Sequence, residues 1–317
     1  MNAVFLDYAT MGPDLYLQPL RALFPELKLY DDTTDDEVAA RIADSEFVFT
    51  NKIRLTNELL LQANNIRYIG LTATGTDNID LETAKAQGIA VDNIRAYCTQ
   101  SIVEHVFGTL LMLTHSLDRY NASTRGGDWQ TSNDFCMLTY PIRELSAMTL
   151  GIIGYGALGQ GVTRIARAFG MTVIVSARPG SDSVAKDRVA FDELLEQSDV
   201  ISLHCPLTDQ TRKLFDRTTI ARMKPDAILI NTARGALIDS AALVDALSSG
   251  HLAGAAVDVL SQEPPVDGDP LLDYDGENLV VTPHIAWGTD QARQNAIDEL
   301  AANAAAFLAG QERNRVV

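Results

Sequence analysis

Residues 149–170 read TLGIIGYGALGQGVTRIARAFG, and this stretch limits the fold more than any other. Gly154, Gly156 and Gly159 form G-x-G-x-x-G between an apolar run, LGIIG, and a segment of helical spacing. In that segment Leu158, Val162, Ile165, Ala166 and Phe169 recur up to a capping Gly170. A strand must therefore turn tightly into a helix. Gly154 permits the turn, Gly156 leaves the backbone open to a pyrophosphate, and Gly159 lets helix and strand pack closely. The helix N-terminus then offers unpaired N–H groups and partial positive charge to a phosphate. Glycine-rich turns also occur in ordinary strand–helix connections, so the motif draws its weight from this context.

The same alternation fills the chain, which is the signature of parallel α/β layers. AVFLD, LKLY, EFVFT, RYIGL and GIAVDN read as strands separated by amphipathic stretches such as DDEVAARIA and LTNELLLQA. They predict a small doubly wound domain ending near Asn93. From Thr149 a second series follows, LGIIG, TVIVS, VISLH, AILIN, AAVDV and LVVTP, enough for a full dinucleotide-binding sheet. Between the series, Ser101–Tyr120 is helical in pattern. Its Val103, Val106, Phe107, Leu110, Leu111 and Leu113 are too apolar for one exposed face, so burial between domains or subunits is expected. After Pro283 one helical segment remains, Asp290 to Ala309. A lone terminal helix has no core of its own and is expected to return to the first domain. The expected organisation is a discontinuous domain of residues 1–98 and 288–317 around a domain of residues 99–287. The acidic run DDTTDDE suits a solvated loop and a helix N-terminus.

Composition narrows the class. A net charge of −17 argues against nucleic acid and anionic membranes, and it means that an anionic substrate needs a local positive site. No apolar run reaches the roughly 18 residues of a spanning helix. The N-terminal MNAVFLDYATMGPD is too short and acidic for a signal peptide. Cys98, Cys136 and Cys205 are far apart and show no metal-ligand spacing, so reduced thiols in a cytosol and no metal are expected.

Beyond the glycine loop, the strand TVIVS ends at Ser176-Ala177-Arg178. An NAD-binding unit places an Asp or Glu there for the ribose hydroxyls, whereas an arginine nearby accommodates NADP. Ser181 adds a further donor. At the ends of later strands, Arg234 follows AILIN, Asp258 ends AAVDV with Glu263 in the loop after it, and His284 follows LVVT. Ligands of an open α/β sheet sit outside these carboxyl ends. Taken singly, Glu263 suits a solvated loop and His284 an ordinary structural histidine. Their joint placement with Arg234 favours chemistry. Histidine titrates near neutrality and can deliver a proton to a carbonyl oxygen, a carboxylate can orient it, and an arginine fork can hold a substrate carboxylate. His105, His115, His204 and His251 lack comparable companions in the sequence.

With TATGTDNID, SIVEH, GIIGYGALG, HCPLT, NTARGALID, DVLSQEPP and TPHIAW in order, the chain resembles the D-isomer-specific 2-hydroxyacid dehydrogenases along nearly its whole length. NDFCMLTYPIREL and TPHIAW look most like the glycerate dehydrogenase and hydroxypyruvate reductase branch. The resemblance implies that His284 is the acid/base, Glu263 its partner and Arg234 the substrate-binding arginine. It implies that backbone N–H groups at Thr74 and Gly75 hold the substrate carboxylate and that Asp258 binds the nicotinamide carboxamide. Leu158, Gly159, Cys205, Thr232 and Ala233 fall on cofactor-lining positions. Homodimers built through Ser101–Ala147 are usual in such enzymes. Many relatives carry Asp or Glu where this chain has Ala177.

The expected protein is thus α/β, with two doubly wound parallel-sheet domains: a Rossmann-type cofactor domain and a smaller flavodoxin-like substrate domain. It is expected to be a cytoplasmic homodimer that uses NADP or NAD, NADP favoured, with its active site in the cleft. The expected reaction interconverts a 2-oxo acid, hydroxypyruvate or glyoxylate first, with the D-2-hydroxy acid. Two alternatives stay open at this point. One is a bulkier branched or aromatic substrate, for whose pocket Trp287, Phe135 and Met137 are candidates. The other is a nucleotide-sensing protein that has lost catalysis.

Overall fold

The computed structural model describes residues 1–180 and 185–317; Ser181, named above as a donor, lies outside them. The chain forms two compact units, Met1–Cys98 with Gly288–Val317, and Thr99–Trp287.

In the first unit, β1 (Ala3–Phe5), β2 (Lys28–Leu29), β3 (Phe47–Thr50), β4 (Tyr68–Leu71) and β5 (Ala90–Asp92) form a parallel sheet in the order β2-β1-β3-β4-β5. The three central strands are buried on both faces, which is why they read as unbroken apolar runs. Helices supply the cover. Thr34 and Glu37 make a reciprocal capping box at the start of Asp35–Ile42, so the acidic run ends as a helix N-terminus. The C-terminal helix Asp290–Leu308 returns to this unit and packs on β4 and on the helix Gln18–Leu23. Phe307, at its end, places its ring 4.9 Å from that of Tyr68. The tail beyond it closes the sheet edge. Val316 donates its N–H to the Val91 carbonyl (2.8 Å), and the Arg315 guanidinium meets the buried Asp92 carboxylate at 2.6 Å. An edge paired in this way is protected from other chains.

In the second unit, β6 (Thr149–Ile153), β7 (Thr172–Val175), β8 (Val200–Leu203), β9 (Ala227–Asn231), β10 (Leu252–Val257) and β11 (Leu279–Val281) are all parallel, in the order β11-β10-β9-β8-β6-β7. The chain leaves β6 for β7 on one side and returns to β8 on the other. The strand order reverses there, and ligands of such sheets bind at that point. The helix Thr99–His115 packs on the glycine-loop helix Ala157–Ala168 and on β9 and β10. Much of its apolar surface is therefore used within this unit, while Leu111, Met112 and Leu113 stay half-buried. The segment that follows keeps apolar side chains in solvent: Trp129, Leu138, Ile142 and, most fully, Phe135 at 89% exposure.

Candidate active site

The glycine loop sits where the strand order reverses. Gly154 has φ +93°, and a side chain there would come within 2.5 Å of the His204 and Cys205 backbone that follows β8. At Gly159 an added Cβ would lie 2.2 Å from the Gly154 carbonyl oxygen. Both positions thus require glycine for backbone approach. Gly156 instead faces open space and begins the helix Ala157–Ala168 as its N-cap, with Leu158 half-buried in the first turn.

Beside the loop opens a cavity of about 780 Å³ lined by Gly154, Tyr155, Ser176, Ala177, Arg178, Arg188 and Cys205, among others. Ala177 is nearly buried and its N–H donates to the Val189 carbonyl (2.8 Å). The Ser176 hydroxyl proton goes to the Ala177 carbonyl at 2.6 Å, so its donor capacity is used within the strand end. Arg178 is exposed at the cavity wall. Burial pushes the Cys205 thiol up to about 11, which keeps it a neutral wall. The residues fit a dinucleotide: a glycine cradle, the N-terminus of a helix and a roomy cavity stand together. Thr232 adds a buried hydroxyl oxygen with no hydrogen-bond partner among the described residues, with the half-buried Ala233 beside it.

The turns after β9, β10 and β11 carry the three expected catalytic groups. The buried Asn231 side chain accepts from the Ala233 N–H (3.0 Å) and donates to the Arg234 carbonyl (2.9 Å), fixing the NTAR turn. Arg234 Nη1 donates to the Ala233 carbonyl at 2.8 Å. At Gly235 an added Cβ would lie 2.0 Å from the Leu260 carbonyl carbon, so this glycine lets the loop after β10 close on the Arg234 turn. That loop holds Glu263, whose Oε1 accepts from the Leu260 N–H (2.8 Å) and whose Oε2 lies 2.7 Å from His284 Nδ1.

Asp258 organises the third turn. The His284 N–H donates to the Asp258 carbonyl (2.7 Å), and the backbone at His284 takes φ +56°. The buried Asp258 carboxylate accepts from the N–H groups of Ile285 and Ala286 (each 2.9 Å) and from the Thr282 hydroxyl (2.6 Å). Thr282 gives its single proton to Asp258, so at 3.2 Å it accepts from His105 Nε2. His105 was assigned no companion from sequence. The helix Thr99–His115 supplies one by folding beside β10, and Ser101 on that helix donates to the Ala286 carbonyl (2.6 Å).

In the first unit, the loop after β4 is held by Thr74. Its hydroxyl donates to the Ile94 carbonyl (2.9 Å), and its carbonyl accepts from the Asn93 amide (2.7 Å). Gly75 follows, half-buried. The buried Asp7 carboxylate ties the neighbouring strand ends by accepting from the Asn51 N–H (2.9 Å) and the Lys52 N–H (2.6 Å). Sequence reasoning gave no role to Asp7, His105, Tyr155 or Arg188. Trp287 is half-buried, and Phe135 points to solvent. Among the described residues no cluster of His, Cys, Asp or Glu could hold a metal ion, and no helix is long and apolar enough to cross a membrane.

Residues 107–286 match the family described as D-isomer specific 2-hydroxyacid dehydrogenase, NAD binding domain. Over 295 residues the chain is 44% identical to a glycerate dehydrogenase of Methylorubrum extorquens, covering 92% of this chain and 93% of that protein. It is 40% identical over 323 residues to a hydroxypyruvate reductase of Blautia hydrogenotrophica, covering 100% and 99%. Among solved structures, an acyclic imino acid reductase in complex with NADPH and D-Arg superposes with a TM-score of 0.87 at 28% identity, over the full length of both chains.

Proposed function

The chain belongs to the D-isomer-specific 2-hydroxyacid dehydrogenase family, an oxidoreductase fold that uses a nicotinamide cofactor, and from that premise we propose that it reduces hydroxypyruvate or glyoxylate to the D-2-hydroxy acid, with NADPH as the preferred donor. The observation that carries the reading is the 2.7 Å bond between His284 Nδ1 and Glu263 Oε2. A nicotinamide, when bound, would supply the hydride to the carbonyl carbon. His284 delivers a proton from Nε2 to the carbonyl oxygen, since Nδ1 is held by Glu263. Arg234, on a turn fixed by Asn231, grips the substrate carboxylate with its planar fork and supplies the local positive charge that a chain of net −17 requires. For the N–H groups of Thr74 and Gly75 the family resemblance supports a role in binding a substrate carboxylate. Asp258, whose Oδ2 accepts the Ala286 N–H, is the partner that the family resemblance supports for the nicotinamide carboxamide.

The glycine loop would hold the cofactor, and Leu158, Cys205, Thr232 and Ala233 would wall it. The NADPH preference follows from Ala177, which lacks the carboxylate that repels a 2′-phosphate, and from Arg178 on the same cavity wall. The names of the two relatives support the small substrates. A panel of 2-oxo acids compared by kcat/KM, with NADH and NADPH, tests both parts. Hydroxypyruvate and glyoxylate should lead; both falling far below phenylpyruvate would overturn the substrate.

The exposed Trp129, Phe135, Leu138 and Ile142 support a homodimer built through the 101–147 segment. Sedimentation showing only monomer at micromolar concentration overturns it. Three free cysteines suit the reducing cytosol as the place of work.

A further inference from the structure

We infer that a second arginine, Arg188, grips the cofactor's 2′-phosphate together with Arg178 and is the residue on which discrimination between NADPH and NADH chiefly rests. The inference builds on the NADPH preference proposed above. Two backbone hydrogen bonds bring Arg188 to the strand end. Ala177 N–H donates to the Val189 carbonyl (2.8 Å), and Val189 N–H donates to the Val175 carbonyl (2.9 Å). The segment carrying Arg188 is thereby laid alongside β7 at Ser176-Ala177, the slot where related cofactor sites place their selecting carboxylate.

Its side chain is set as well. The Arg188 guanidinium carbon lies 4.5 Å over the ring of Tyr155, inside the glycine loop. A cation held over a ring is attracted by the ring face without a carboxylate or carbonyl partner, so the contact does not spend the N–H fork that matches phosphate oxygens bidentately. The neighbouring acid does little to neutralise it: Asp187 Oδ2 stands 3.6 Å from Nε, and the Asp187 side chain is 73% exposed. A pair of this kind contributes little. Among the described residues that line the cavity, the charged ones are Arg178, Arg188 and one acid, Asp209. In a chain of net charge −17 this is a local positive site, and its sign fits a phosphate monoester. Arg178 is exposed, whereas the Arg188 side chain is only 23% exposed and braced on Tyr155. The braced arginine loses less freedom on binding, and so it should carry more of the selectivity.

The test is calorimetric titration with adenosine 2′,5′-bisphosphate and with adenosine 5′-monophosphate, which reads binding without turnover. Wild type, Arg188→Ala, Arg188→Lys and Arg178→Ala are compared, with thermal melts to show that each is folded. Arg188→Ala should weaken the bisphosphate by roughly tenfold or more while leaving the monophosphate within about twofold. Arg188→Lys should restore only part of the loss, because an ammonium lacks the fork. Should wild type bind both probes equally, the NADPH reading and this inference fall together. A preference in wild type that survives Arg188→Ala but is lost in Arg178→Ala overturns the inference alone. Equal weakening of both probes by Arg188→Ala also overturns it, since that would make Arg188 a support for the adenosine.

Discussion

His284 Nδ1 lies 2.7 Å from Glu263 Oε2, and Glu263 Oε1 in turn accepts the Leu260 N–H at 2.8 Å. Both carboxylate oxygens are thus engaged, one by the ring and one by the loop that carries it, so the imidazole cannot turn without breaking a charge-assisted contact. Nε2 is the nitrogen left for the reaction. Glu263→Gln keeps the shape and removes the charge, and kcat should fall about ten- to a hundredfold. His284→Ala removes the proton donor, and turnover should fall by roughly 10²–10⁴. Cofactor affinity, read by fluorescence titration, should stay nearly unchanged in both. Turnover of His284→Ala at the wild-type rate at any pH, measured by stopped flow, would remove His284 from the mechanism.

Asp258 supports the same turn from beneath. Its carboxylate faces three donors, the N–H groups of Ile285 and Ala286 and the Thr282 hydroxyl. In Asp258→Asn one of those donors must face an amide NH2 in a buried place. The expected loss of stability is about 1–3 kcal/mol, the usual cost of a buried polar group left without its partner. Urea unfolding of the variant checks this. Activity should fall as well, because the bonds from Ile285 and Ala286 to the carboxylate hold the turn that carries His284. A variant of unchanged midpoint and slope would show that the turn is held by other means.

His204 yields a prediction in pH. Its Nε2 lies 2.9 Å from the Ser202 hydroxyl, its Nδ1 is buried without a partner among the described residues, and burial lowers its pKa to about 4. The unfolded chain takes up this proton near pH 6.5, and the folded chain only near 4. Between those values the unfolded state holds more protons, so the stability that His204 contributes is complete above pH 6.5 and is lost as pH falls toward 4. The whole shift corresponds to about 3 kcal/mol. His204 as a residue is half-buried, so a loss of roughly 1–3 kcal/mol is expected. His204→Gln can keep a contact to Ser202 and has no such proton. The stability difference between wild type and variant, followed from pH 7 to pH 4, should move against wild type. A difference flat in pH would refute the burial effect.

Much of this molecule is legible in the sequence because its strands are buried on both faces and read as apolar runs, and because glycine marks the turns. Gly154, Gly156 and Gly159 carry their geometry in their spacing. What stayed hidden depends on pairing across the fold. Arg188 reaches the cofactor cavity only because Val189 pairs with the end of β7, a contact with no local pattern. His105 sits among apolar residues on a helix whose spacing announces core, and its link to Thr282 arises only when that helix lies on the sheet. Asp92 reads as the polar end of a strand until the tail brings Arg315 to it. The long apolar helix illustrates the reverse case. Its hydrophobicity suggests a site between domains or subunits; packing on the glycine-loop helix and on β9 and β10 engages part of its apolar surface, and Leu111 and Leu113 stay half-buried.

The last prediction concerns Ala177, 8% exposed at the end of β7 and on the wall of the nucleotide cavity. An acid at this strand end accepts bonds from the two ribose hydroxyls of NAD and repels a 2′-phosphate; a methyl group does neither. Ala177 donates its N–H to the Val189 carbonyl, so its backbone is fixed, and the nearly buried position leaves a longer side chain the cavity as its open direction. Ala177→Asp should therefore place a carboxylate against the 2′-phosphate, within reach of Arg178. The spoiled contact should cost the NADPH complex on the order of 1–3 kcal/mol, and the ribose hydroxyls of NADH should gain a partner. The ratio of kcat/KM with NADPH to that with NADH should fall by roughly ten- to a hundredfold or more, toward preference for NADH. If the unmodified enzyme already uses NADH as well as NADPH, the missing acid is tolerated at this position and selects nothing.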